Sequence, residues 1–146
     1  MYLDKLNQFS TAYAPTAVGT TYSDVLDLGV ARDVGGAVTD FLYLLCQVVT
    51  TFTSGGSATL QVQLQGSTDN SSFSIIAQSD AVAVASLTQG YKFLQGLTIS
   101  PPTATSYRYL RLGFVIGTAA MTAGAITAGF TPSLQHSPVY AAGYVA

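Results

Sequence analysis

The sequence has no glutamate and no tryptophan, one histidine (His136), one cysteine (Cys46), and five basic side chains against seven aspartates. Each scarcity excludes something. A single cysteine forms no internal disulfide. One cysteine and one histidine are too few for a structural zinc site. His136 is the one histidine able to switch charge near neutral pH. It lies in Ser133–Pro138, a stretch without the rigid frame and partner that a general base needs. The cations Lys5, Arg32, Lys92, Arg108 and Arg111 are scattered and make no cluster able to displace counterions from a nucleic acid. No apolar run approaches the roughly 20 residues of a membrane span. Met1–Lys5 lacks the charged-then-apolar pattern of a leader. The expectation is a chain made in the cytoplasm, not an enzyme, with no cofactor, metal, nucleic acid or membrane as partner.

Paired carboxylates could still hydrolyse a glycosidic bond. Asp24 and Asp27, however, are three apart, so an extended backbone turns them to opposite faces. Asp33 and Asp40 sit at turn positions, where aspartate bonds its own backbone. No aspartate spacing matches a calcium-binding helix–loop–helix. Gly35-Gly36 and Gly55-Gly56 lack the lysine and helix of a phosphate loop.

What the chain does contain is strand material. Charged residues make up 8% of it, against about 25% in an average domain, and the net charge is −2. So small a charge leaves little self-repulsion to keep copies apart, which suits life within an assembly. Ala58–Gln65 alternates strictly. Ala58, Leu60, Val62 and Leu64 point one way, and Thr59, Gln61, Gln63 and Gln65 the other. Tyr107–Ile116 repeats the pattern, with Leu110, Leu112, Phe114 and Ile116 as its core face. Phe41–Phe52 is apolar on both faces, as in a central strand covered on both sides or an interface strand, with Cys46 as a small core hydrophobe. Shorter strands are expected at Val25–Gly29, Phe73–Ala77, Ala81–Ala85, Tyr91–Ile99 and Ala125–Phe130. Phe73, Phe93, Phe114 and Phe130 are read as core.

Seven or eight short strands separated by turn signals, with helical spacing nearly absent, predict an all-β fold. The expected architecture is an antiparallel β-sandwich, a jelly roll of about eight strands, with an immunoglobulin-like sandwich as its nearest rival. Residues 1–22 are read as an N-terminal arm with a helical turn near Leu3–Phe9, 23–130 as the sandwich, and 131–146 as a C-terminal arm. Tyr2, Tyr13, Tyr22, Tyr140 and Tyr144 fall in the two arms. Tyrosine supplies broad contact area with one polar tip, so the arms are expected to lie on a neighbour.

Three stretches carry a resemblance. They are Val25–Gly35, Ala58–Asp69 (ATLQVQLQGSTD) and Tyr107–Phe114 (YRYLRLGF). Together they resemble the jelly-roll capsid cement, or decoration, proteins of tailed bacteriophages, the Bordetella-phage type, over roughly residues 20–130. The resemblance implies an oligomer, a dimer or trimer, that clamps neighbouring major capsid subunits on the exterior of the virion, with no catalytic residues. The contact surfaces expected are the tyrosines of the arms and the Thr59/Gln61/Gln63/Gln65 face, with Arg32 and Asp33 fixing a turn or bridging to a neighbour. The alternative function is a carbohydrate-binding sandwich of a phage particle, its aromatics and the Asp69-Asn70 loop touching host glycans.

Overall fold

A computed structural model describes residues 5–29, 43–95 and 107–131. Among these residues lie ten strands: β1 (Gln8–Tyr13), β2 (Gly19–Tyr22), β3 (Leu26–Asp27), β4 (Tyr43–Ser54), β5 (Thr59–Ser67), β6 (Ser74–Gln78), β7 (Val82–Ala83), β8 (Lys92–Phe93), β9 (Tyr109–Gly117) and β10 (Met121–Thr131). Short 3-10 turns occupy Lys5–Asn7 and Val84–Ser86. Every pairing among these strands is antiparallel.

The strands form two sheets. One runs β1-β10-β4-β8; the other runs β2-β9-β5-β6, with β3 also on β9 and β7 also on β5. β5 occupies one side of β9 along its length, so β2 and β3 share the other side as two pieces of one edge. β6 and β7 share the free side of β5 in the same way. The ten segments thus fill eight positions, four per sheet. Chain order passes back and forth between the sheets as in a jelly roll, which settles the fold class in favour of that architecture over the immunoglobulin-like rival.

The alternation read from the sequence places the core. Leu60, Val62 and Leu64 on β5 and Leu112, Phe114 and Ile116 on β9 are all buried. They face Leu44, Cys46, Val48 and Phe52 of β4 and Ile126, Ala128 and Phe130 of β10 across the sandwich. β4 lies between β10 and β8, as its two-sided apolar pattern predicts, and Leu45, on the strand's other side, is only 2% exposed. The sheets are linked at one end by two corners, β4 to β5 and β9 to β10. There Gly56 approaches Ala119 so closely that a Cβ at Gly56 would stand 2.9 Å from the Ala119 methyl.

The N-terminal boundary needs correction. Residues 8–22 are not an arm: β1 pairs β10, and β2 pairs β9. Phe9 is 1% exposed, its ring edge-on to Phe130 at 4.9 Å. The Tyr13 ring lies 5.4 Å from that of Phe114. The alternation that would have announced β1 is broken, because Ala12 has φ of 46° and the register with β10 shifts twice. At the other end, β10 runs through Thr131, which pairs Tyr43. Residues 1–4 and 132–146 lie outside the described residues, as does the Arg32–Gly36 turn.

Candidate contact surface

Among the described residues, the outward face of the six-stranded sheet gathers most of the contact side chains singled out in the sequence. β5 contributes Thr59, Gln61, Gln63 and Gln65, which pair across the ladder with Gly117, Val115, Gly113 and Arg111 of β9. Tyr22 of β2 pairs Gly113 from the other side. Ile75 and Gln78 of β6 pair Gln65 and Gln63. Strand periodicity therefore puts all of these on one face. The glycine at 113 makes room: a Cβ there would stand 3.2 Å from the Gln65 amide nitrogen.

The amides on this face are chained. Arg111 Nε donates to Gln65 Oε1 at 2.9 Å, Gln65 Nε2 donates to Gln63 Oε1 at 3.0 Å, and Gln63 Nε2 donates to Gln78 Oε1 at 3.4 Å. Gln61 Nε2 donates to the Ser79 carbonyl at 2.8 Å. Satisfying both ends of Gln65 permits its burial, at 7% exposure. The Arg111 guanidinium lies between two rings, its carbon 3.7 Å from the centroids of Tyr22 and of Phe73. Phe73, read from the sequence as core, is therefore not a core residue. It precedes β6 and packs on a cation, half-buried. Around this cluster Tyr22 is 45% and Ile75 52% exposed.

Two carboxylates near the face serve local structure. Asp27 takes a fork from Arg108, Nε to Oδ1 at 2.8 Å and Nη2 to Oδ2 at 3.0 Å, and accepts the Gly29 N–H at 2.8 Å. The Arg108 hydrogen bonds, with that N–H, hold Asp27 down at about 2. Asp69 Oδ1 accepts from the Ser72 and Ser71 N–H groups and the Ser67 hydroxyl, and these bonds hold it at about 2 as well. Its loop is thus closed on itself. Cys46 is fully buried, and burial pushes its thiol up to about 12. Among the described residues no three of His, Cys, Asp or Glu stand together to hold a metal ion. A recess of about 140 Å³ opens where β1 meets β2, lined by Phe9, Tyr13, Tyr22 and Asp24 among others.

Of the residues expected at interfaces, the structure brings Tyr22, Thr59, Gln61, Gln63 and Gln65 to one sheet face. It separates Tyr13, half-buried against the core ring of Phe114. Tyr2, Arg32, Asp33, Tyr140 and Tyr144 lie outside the described residues. The sequence reading missed Arg111, Phe73 and Ile75 as parts of the face. The parity of Tyr107–Ile116 marks Arg111 as outward, but no local signal joins it to Tyr22 or Phe73.

Fold and face together define a jelly-roll module with a sheet surface of chained amides and aromatics. The chain belongs to the Bbp16 family, whose model matches residues 9–130, from Phe9 in β1 to Phe130 in β10, and so the entire sandwich. The family is named after a Bordetella phage protein. A search of curated proteins finds no match to the chain.

Proposed function

We propose that the chain is a structural protein of a phage particle, a capsid cement that binds the assembled head from outside and bridges major capsid subunits. The observation that carries this reading is the outward face of the six-stranded sheet. Its amides are already hydrogen-bonded to one another, while Tyr22 and Ile75 remain exposed. A face whose polar groups are pre-satisfied loses little on desolvation and has few side chains left to order, so more of the contact energy appears as binding. Membership in a family named after a phage protein supports taking a phage particle as what that face acts on.

The action is thermodynamic. A ligand that binds the assembled shell and not its dissociated subunits stabilises the shell by mass action. Repetition of the site around the shell, together with association of the chain with its own copies, turns a weak contact into a strong one. No catalytic step, cofactor, nucleic acid or membrane enters this reading. The test is sedimentation of the purified protein with empty shells of the major capsid protein. Pelleting at a fixed, saturable ratio supports it, and a protein left wholly in the supernatant beside intact shells refutes it. The glycan-binding alternative draws nothing from the Asp69 loop, whose carboxylate is engaged by its own serines.

A further inference from the structure

We infer that Arg111 is a preformed receptor for a carboxylate side chain, aspartate or glutamate, on the protein surface this sheet packs against. The inference rests on the proposed contact role of the face and names the chemistry of its partner. The guanidinium packs on two rings, those of Tyr22 and Phe73, its carbon 3.7 Å from each centroid. Its Nε is held by Gln65. What remains is the edge carrying the two terminal nitrogens. These have no hydrogen-bond partner among the described residues, nor are they among the buried unpaired atoms, so they reach solvent. That edge presents parallel N–H donors, a geometry that matches the two oxygens of a carboxylate.

The charge on this edge is uncompensated. The one ion pair among the described residues joins Arg108 to Asp27, and Arg111 has no carboxylate partner there. A cation fixed by two rings and an amide, with no carboxylate paired to it among the described residues, is complementary to an acid supplied from outside. The stack and the Gln65 bond also remove the rotamer freedom that an exposed arginine would lose on binding. Ile75, exposed and paired to Gln65 in the ladder, and Tyr22 give the site an apolar rim. Such a rim suits a protein surface rather than a small anion. Arginine and tyrosine grouped in this way are typical centres of binding energy in interfaces.

The test uses empty, DNA-free shells and the full chain. Arg111→Gln should weaken shell binding about ten-fold or more, and Arg111→Lys should recover only part of it, because lysine keeps the charge and loses the fork. Amidating the shell's carboxylates with carbodiimide and methylamine should weaken the wild type to the level of Arg111→Gln and leave that variant unchanged. This second arm needs only the wild-type fold. Equal binding by wild type and Arg111→Gln, or wild-type binding indifferent to amidation, overturns the inference while leaving the cement reading in place. Independently of any shell, titration with acetate should move the Arg111 Nε–H resonance saturably, and chloride should not. A saturable shift in a protein that ignores shells would keep the carboxylate site and remove the cement role. No shift with acetate, in a protein that ignores shells, overturns both.

Discussion

Gly124 lies in β10 where that strand pairs β4, and replacing it with alanine should be among the most damaging single-methyl changes in the chain. It lies in β10 at φ of 133°, a conformation in which L side chains are strained. The register between β10 and β4 shifts on both sides of it. The position its Cβ would take is already occupied by the Phe52 ring, and Phe52 is 3% exposed within the core. Two costs follow from Gly124→Ala. Backbone strain adds about 1–3 kcal/mol, and displacing a packed ring adds about 1–3 kcal/mol more. The sum, roughly 2–6 kcal/mol, corresponds to a fall in Tm of roughly 6–20 °C for a domain of this size. Thermal unfolding by circular dichroism reads it directly. Gly55→Ala is the control: a methyl group at Gly55 would meet no atom within 4 Å, and the residue has no positive φ, so its Tm should stay level or rise slightly. A cycle with Phe52→Ala isolates the ring. The double variant should be less destabilised than the two singles summed, by about 1–3 kcal/mol. A Gly124→Ala protein melting within about 2 °C of wild type would refute the reasoning, and strict additivity would refute the part of it that names Phe52.

Three further outcomes are expected. Asp27 and Asp69 are both held near 2, below the ordinary 3.8, so what they contribute is complete above about pH 4 and lost as pH falls towards 2; Tm measured from pH 5 to 2 should drop across that window, and Asp27→Asn with Asp69→Asn should flatten the drop. Cys46, buried with its thiol near 12, should resist a thiol reagent at pH 8 until the protein is unfolded in guanidinium; stoichiometric labelling of the native protein would contradict that burial. Ile75→Asp, at a position 52% exposed, should leave Tm within a few degrees of wild type and cut shell binding; unchanged binding would remove Ile75 from the contact face.

The parts of the fold that were legible in the sequence are those where one face is buried and the pairing is regular. β5 and β9 pair residue for residue from Thr59↔Gly117 to Ser67↔Tyr109, so period two survives intact and the core face can be read off directly. β1 was hidden because a residue at positive φ and two register shifts erase that period, and β2 because Gly19–Tyr22 carries no large buried side chain. The contact face divides in the same way. Its glutamines follow from the alternation of one strand, whereas the Tyr22–Arg111–Phe73 stack joins three distant segments whose meeting only the sheet order determines. Phe73 was misread because an aromatic beside a strand is ordinarily core. Here the covering of a guanidinium supplies the partner that the core would have supplied.

The most direct test of the cement role is the melting of empty shells with and without the protein. The expected result is a saturable rise in shell melting temperature at the same ratio at which the protein co-sediments, lost in parallel with binding for Arg111→Gln. A protein that binds no shell, or that binds at full occupancy without moving the melting temperature, would contradict that role.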